Sequence, residues 1–141
     1  KARMQTGKWF NLIGLVLMAC LLVGCMHSGG VTGTDAVVHV VLIQFKPEVT
    51  GQQREQVINA SLDRLKMIPR VVSVTAGPKV RDDRPVHIRD YDVGILVVLD
   101  SVAALDHYGP HPLHQAFVQE FQPLFARLQV VDFAGERDSA R

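Results

Sequence analysis

Runs of apolar residues in the chain follow two spacings, one typical of strands and one typical of helices. β-Branched and aromatic residues dominate the segments 36–46, 71–80 and 91–99. Such residues fit a pleated sheet, so each of these segments is predicted to be a strand, the second with a turn or bulge at Gly77-Pro78. A shorter run at 129–134 predicts a fourth strand.

Apolar residues recur every three to four positions in the segments between these strands. The spacing predicts a helix over 50–67, with Thr50 as its N-cap. A short helix over 102–107 follows the third strand. A longer helix is predicted from Pro112 to about Leu128, kinked or split at Pro123 because proline lacks a backbone N–H.

The order of these elements predicts an α+β fold. Strand, helix, strand, strand, helix, strand is the ferredoxin-like βαββαβ pattern, with a four-stranded antiparallel sheet and helices on one face. Both faces of the first strand are apolar, with Val41 and Ile43 on one side and Val40 and Leu42 on the other. Because helices cover only one face, we expect a second copy to cover the other. The result would be a homodimeric α+β barrel with an apolar chamber between sheet and helices.

The N-terminal part has the features of a bacterial export signal. Basic residues precede a charge-free stretch, 12–26, whose apolar portion is shorter than the ~20 residues that span a bilayer. It ends in Leu22-Val23-Gly24-Cys25, which resembles a lipobox. This resemblance implies cleavage before Cys25 and acylation of that cysteine. An uncleaved membrane-anchor helix is the alternative.

We therefore divide the chain into a signal peptide at 1–24, a flexible Gly-, Ser- and Thr-rich tether at 25–35, a folded domain at 36–134 and a polar tail at 135–141. A lipid anchor would hold the protein at the membrane of the bacterial cell envelope. Met26 stands where an inner-membrane retention aspartate is found in enterobacterial lipoproteins. The expected location is thus the outer membrane, facing the periplasm.

Charge and cysteine content exclude several classes of function. The formal net charge is +1, but Lys1, Arg3 and Lys8 precede the hydrophobic stretch, leaving 12 basic and 14 acidic side chains after it. This balance argues against a nucleic-acid partner. Both cysteines, Cys20 and Cys25, lie within the stretch. The domain is therefore expected to have no disulfide, thiol nucleophile or cysteine-based zinc site.

The stretch from His107 to His114 contains three of the six histidines and a tyrosine. A helix that begins at Pro112 places His114 in its first turn, where the helix dipole favours a neutral imidazole. A metal site at the three histidines is not expected, because Pro110 and Pro112 interrupt the helical spacing and few carboxylates are near.

Several motifs together resemble the stress-responsive A/B barrel family over about 37–134. They are the first strand with His39, the strand that starts at Tyr91, the motif Tyr108-x-x-His111-Pro112-x-His114, and Val131-Asp132-Phe133. The resemblance implies a dimeric α+β barrel. Most members of this family have no assigned activity. One plant member is a cofactor-free polyketide cyclase, and the match to it implies catalytic roles for Tyr108 and His114, with His39 in the chamber. Val93 departs from it, because it replaces a chamber histidine.

These residues suggest a cofactor-free lyase or cyclase that acts on a small carbonyl compound. His114 would be the general base, and Tyr108 would hydrogen-bond the developing enolate near His39. The expected apolar lining for the ligand comprises Val41, Ile43, Val97 and Phe117. The alternative is a non-catalytic module that binds an apolar small ligand or an envelope partner, with Tyr108 and His114 only fixing the entry to the last helix.

Overall fold

Four strands and three α-helices make up residues 36–135, the part of the chain that the computed structural model describes. Their bounds, in chain order, are β1 Ala36–Phe45, α1 Gly51–Arg64, β2 Val71–Pro78, β3 Val93–Leu99, α2 Val102–Tyr108, α3 Pro112–Phe121 and β4 Phe125–Gly135. The predicted signal peptide, Cys25 and the tether lie outside the described residues, as does the predicted tail beyond Gly135. Within the described range, no helix combines the length and apolarity needed to cross a bilayer.

The strands form one antiparallel sheet in the order β2-β3-β1-β4. Val40 of β1 lies opposite Leu96 of β3 on one side and opposite Val131 of β4 on the other. β1 and β3 are therefore central, whereas β2 and β4 are edge strands. The predicted ferredoxin-like α+β fold with a four-stranded antiparallel sheet is confirmed.

The two faces of the sheet differ in burial. On the inner face, Ile43, Val93 and Leu99 are buried in a core shared with Val57 of α1 and Phe117 of α3. The residues between them point to the outer face and include the half-buried Val40 and Leu42. It also includes Val131 and Phe133 of β4, which are 54% and 51% exposed. The helices thus cover one face, as expected, and a single chain leaves apolar side chains on the other.

Helix α1 begins at a capping box. Thr50 Oγ1 accepts from the backbone N–H of Gln53, and the Gln53 side chain accepts from the backbone N–H of Thr50. These two bonds satisfy donors that the first helical turn leaves free. The predicted N-cap is confirmed, although the α-helix ends at Arg64 and continues only as a 3₁₀ turn to Met67.

The boundary between α3 and β4 differs from the prediction. The helix ends at Phe121, and Pro123 lies in a 3₁₀ turn rather than in a kinked helix. β4 then begins at Phe125, so Phe125 and Leu128 are strand residues, opposite Phe45 and Ile43 of β1. The reason is that proline interrupts the helical hydrogen bonds, while pairing with β1 satisfies the backbone beyond it.

The third strand is also shorter than predicted, because it starts at Val93 rather than Tyr91. Asp92 leaves the strand pattern to hold the end of β1. Its backbone N–H donates to the Ile43 carbonyl, and its carboxylate accepts from the backbone N–H of Phe45.

Candidate functional site

A cavity of about 530 Å³ lies between the inner face of the sheet and α3. Its volume falls in the range of small-molecule sites. The wall is mostly apolar, with Val41 and Ile43 from β1, Ile95 from β3, Phe117 from α3, and Leu128 and Val130 from β4. Five polar residues also border it: His39, Tyr108, His114, Gln122 and Arg127.

The cavity brings together most of the residues predicted for the site. His39, Tyr108 and His114 line it, as do Val41, Ile43 and Phe117. Val97 does not. Val97 is 0% exposed and is part of the buried core, together with Ala104 of α2. The residue of the same strand that lines the cavity is Ile95.

Two caps place Tyr108 and His114 side by side. Ser101 accepts from the backbone N–H of Ala104 and starts α2, whose last residue is Tyr108. His111 caps α3 by accepting from the backbone N–H of Leu113, so His114 lies in the first turn. The Tyr108 and His114 ring centroids are 4.6 Å apart. The local sequence therefore fixes this pair through the ends of two consecutive helices.

A hydrogen bond fixes the proton on the imidazole of His114. Its Nδ1 lies 2.8 Å from the carbonyl oxygen of Gly109, which can only accept. Nδ1 therefore carries the proton, and in the neutral ring Nε2 keeps its lone pair. Burial lowers the pKa of His114, as do His39 and His111, against the opposing effect of the Gly109 hydrogen bond. A neutral ring with a free Nε2 is the form that can accept a proton.

Tyr108 supplies the complementary group, a protonated phenol. The residue is 3% exposed, and burial raises its pKa above the usual value for tyrosine. Its hydroxyl makes no hydrogen bond with any other group of residues 36–135. A hydroxyl that lines an apolar cavity without a protein partner is available to a ligand oxygen.

His39 lies next to this pair. Its ring meets that of Tyr108 edge to face, with centroids 5.6 Å apart. Asp132 lies directly opposite on β4, and its Oδ1 is 2.6 Å from His39 Nδ1. The carboxylate accepts from Nδ1–H, which leaves His39 Nε2 as the other ring nitrogen for the cavity.

Asp132, Gln122 and Arg127 have positions at the site that the sequence did not predict. Asp132 belongs to a recognised motif, but its contact with His39 depends on the register between the two strands. Arg127 borders the cavity through its position on β4, opposite Gln44, while its Nη1 donates to the exposed Asp90 Oδ2 at 3.1 Å. The only sequence signal for it is a cation near the start of a strand.

The three histidines of the stretch from His107 to His114 do not converge. His111 uses Nδ1 for the helix cap and His114 uses Nδ1 for Gly109, while His107 is exposed on α2. Within residues 36–135, no three His, Cys, Asp or Glu side chains group as metal ligands would.

Comparisons with known proteins agree with this fold. A family model described as the stress responsive A/B barrel domain matches residues 37–134. Olivetolic acid cyclase of Cannabis sativa is 26% identical over 102 residues, which is 70% of this chain and 95% of that protein.

Solved structures show the same architecture. A dimeric ferredoxin-like protein of unknown function from Thermobifida fusca is 27% identical, with a TM-score of 0.61, and the match covers 72% of this chain and 92% of that one. Hydroxynitrile lyase from Passiflora edulis is 17% identical, with a TM-score of 0.65, over 76% of this chain and 99% of that one. The second likeness is one of fold.

Proposed function

The chain belongs to the stress responsive A/B barrel domain family, and from this premise we propose that it is a cofactor-free lyase or cyclase acting on a small carbonyl compound. One observation carries the proposal. In the wall of a largely apolar cavity, the ring of His114, whose Nδ1 is bound to Gly109 and whose Nε2 is free, lies 4.6 Å from the ring of Tyr108, whose hydroxyl has no partner within residues 36–135. Base and hydrogen-bond donor are thus both supplied by the protein.

The reaction begins with proton transfer from a carbon next to a carbonyl. His114 Nε2 takes the proton, the C–H electron pair moves into the new enolate, and the Tyr108 hydroxyl donates a hydrogen bond to its oxygen. The apolar wall strengthens this hydrogen bond, because little water competes for it. The imidazolium then returns its proton to the product. His39, held by Asp132, is the third polar group at this end of the cavity.

The names of two similar proteins support a lyase or cyclase. Olivetolic acid cyclase is the curated relative, and a hydroxynitrile lyase shares the fold. At 26% and 17% identity, the substrates of those proteins are not assigned to this chain. The reaction class proposed here depends on the geometry of Tyr108 and His114.

A non-catalytic binding module is the second candidate. The observation that favours it is the apolar wall, which would accept a hydrophobic ligand without any chemistry. In that case Tyr108 and His114 would only anchor the turn between α2 and α3, as the Gly109 hydrogen bond does.

Enolisation of benzoylacetone, an apolar 1,3-diketone, separates the two candidates. We expect the protein to accelerate the reaction, followed by ultraviolet absorbance. His114→Ala and Tyr108→Phe should each lose about 100-fold, the usual size of a general-base or oxyanion contribution. His107→Ala is the matched control, because His107 is exposed on α2 outside the cavity.

The outcomes are distinct. Equal rates in wild type and both variants would contradict proton transfer at this pair. Tight binding of benzoylacetone with no acceleration would favour the binding module instead.

We also propose that two copies associate through the outer face of the sheet. Val131 and Phe133 are apolar and about half exposed there, beside Val40 and Leu42. The similar ferredoxin-like protein from Thermobifida fusca is described as dimeric. Two twisted sheets that pack face to face would bury this surface in a homodimeric barrel.

We further propose that the mature protein is a lipoprotein of the bacterial envelope, anchored through Cys25 on the outer membrane and facing the periplasm. The support is the basic start, the charge-free stretch and the sequence Leu22-Val23-Gly24-Cys25. Several acyl chains on one cysteine would hold the domain stably at a membrane.

Mass spectrometry of protein from bacterial membranes tests the anchor. We expect an N-terminal, acylated Cys25, and we expect Cys25→Ser to release the protein from the membrane fraction. Cys20→Ser is the matched control and should stay in that fraction. An unmodified Cys25 behind an intact leader would contradict the proposal.

A further inference from the structure

Arg70 has a backbone conformation that residues other than glycine rarely adopt. Its φ is 70°, and it is the one non-glycine residue with a positive φ in the part of the chain that the structure describes. Arginine lacks the short polar side chain that lets asparagine and aspartate adopt this left-handed conformation, so it is unfavourable here. Such strain persists only where surrounding contacts impose it, and it is frequent near functional sites.

Contacts with Asp100 impose this conformation. Arg70 precedes β2 and Asp100 follows β3, at one end of the sheet where Val71 pairs with Leu99. The carbonyl oxygen of Arg70 accepts from the Asp100 N–H at 3.1 Å. The guanidinium reaches both carboxylate oxygens, with Nε 3.2 Å from Oδ2 and Nη2 3.0 Å from Oδ1. Asp100 therefore holds both the backbone and the planar fork of Arg70.

The same guanidinium reaches Ser101, the N-cap of α2. Arg70 Nη2 donates to Ser101 Oγ at 2.6 Å, and this Oγ accepts from the Ala104 N–H at 3.2 Å. The hydroxyl proton is donated to Asp100 Oδ1, 2.9 Å away. A hydroxyl has one donor and two acceptor positions, and all three are used here. Arg70 and Asp100 thus fix the N-cap from outside the helix.

The start of α2 determines where Tyr108 lies. The helix has seven residues, too few to be stable without its surroundings. Its buried residues are Ala104 and Tyr108, which are four positions apart and therefore on one face. A displacement of Ser101 would move the helix and, about 10 Å further along it, the Tyr108 ring. His39 and His114 belong to β1 and α3, so the spacing of the three rings would change.

We propose that Arg70 is a positioning residue: through Ser101 it holds α2 where the Tyr108 ring packs against His39 and His114. Arg70 itself is outside the cavity lining. The positioning of Tyr108 stands on these contacts, whereas its effect on catalysis rests on the proposed function.

Arg70→Gly tests the proposal, because glycine accepts a φ of 70° and lacks the guanidinium. The variant should stay folded, with a urea midpoint close to that of the wild type, while the Tyr108 ring moves. Arg70→Asn is a second variant of the same kind, because asparagine also tolerates this φ.

Nuclear magnetic resonance of the full chain, labelled with isotope-enriched tyrosine and kept in a non-ionic detergent, follows the ring. The chain has two tyrosines, so Tyr91→Phe assigns both signals. In Arg70→Gly we expect the Tyr108 signal to shift by more than its linewidth, because imidazole rings lie 4.6 Å and 5.6 Å from it. Tyr91 should keep its signal, because it precedes β3 at the opposite end of that strand.

Enolisation of benzoylacetone gives a second readout. Arg70→Gly should lower kcat about tenfold at unchanged KM, because a displaced hydroxyl stabilises the enolate less. In the Tyr108→Phe background the same change should have less than about a twofold effect, since no hydroxyl is left to position. Arg64→Gln is the matched control, because it breaks an ion pair with Glu120 of similar exposure. It should leave the Tyr108 signal and kcat as in wild type.

An unchanged Tyr108 signal in Arg70→Gly would overturn the proposal, as would a loss of kcat that persists in the Tyr108→Phe background. The signal needs no turnover, so it is independent of the proposed reaction. A shifted Tyr108 signal, together with no enolisation by wild type, would contradict the proposed function alone. Enolisation by wild type, with the Tyr108 signal and kcat both unchanged in Arg70→Gly, would contradict the positioning role alone.

Discussion

Burial shifts the pKa values of Tyr108 and His114 in opposite directions, and both shifts favour the neutral form of the side chain. It raises the pKa of the phenol and lowers that of the imidazole. The position of His114 in the first turn of α3 predicted a neutral ring from the helix dipole. Removal of the ring from water is instead the largest cause in the structure. A donor and a base therefore coexist over a wide pH range.

Enolisation of benzoylacetone should consequently depend on pH in one direction only. Protonation of His114 removes the base, so the rate falls as pH decreases through the pKa of His114, which lies below the ordinary value of about 6.5. Tyr108 stays protonated, so its ionisation should cause no loss up to about pH 10. A pH–rate profile checks this. An acid limb centred above 6.5 would place the base elsewhere.

The sequence identified His39, Tyr108 and His114 because each belongs to a recognisable motif. The bond between Asp132 and His39 joins residues 93 positions apart, and it depends on which residues of β1 and β4 lie opposite. Local spacing does not contain that information. The same limit applies to Val97 and Ile95, which share a face of β3, since only the helix packed above them decides which one reaches the cavity.

At the scale of the elements, the starts of α1 and α3 were easier to predict than their ends. Thr50 and Pro112 mark the beginnings of α1 and α3 through capping and a fixed φ angle, and both are confirmed. The end of α3 was misplaced because Phe125 and Leu128 continue the helical apolar spacing. Pairing with β1 decides that segment, and pairing between distant segments overrides local preference.

The capping box gives a direct test at this scale. Thr50→Ala removes the acceptor for the Gln53 N–H and should lower the free energy of unfolding by about 1 kcal/mol. Thr50→Ser keeps the hydroxyl and should lie close to wild type. Urea unfolding curves of the wild type and the two variants, recorded at the same protein concentration, measure the difference. A loss of equal size in both variants would mean that the threonine methyl group, and not the cap, is responsible.

At the scale of the whole molecule, the apolar pattern on both faces of β1 predicted a covered sheet. The helices cover the inner face, and the outer face exposes Phe133 and Val131 of β4 in a single chain. The order of elements and the fold class followed from spacing alone. The sequence could predict which face of the sheet a second copy covers. It could not predict which residues make the contact, because the partner's position depends on the shape of the assembled sheet.

Phe133→Lys should therefore shift the protein from dimer to monomer. The dimer would bury one lysine charge from each copy at the proposed interface, and the two charges would repel each other. Both effects are strongly unfavourable. Light scattering coupled to size exclusion measures the mass. Val102→Lys is the matched control, because Val102 is 61% exposed on α2, away from the sheet. A monomeric wild type, or an unchanged dimer in Phe133→Lys, would contradict this interface.

The edge position of β4 has a consequence for the path into the cavity. Leu128 and Val130 form part of the cavity wall, yet within one chain β4 is paired along a single edge. Separating it from β1 breaks one ladder of hydrogen bonds, whereas displacing β3 would break two. Local opening of β4 is thus the less costly route for a ligand. A second copy packed on that strand would raise the opening energy, so the lifetime of a bound ligand and the association of protomers would be thermodynamically linked.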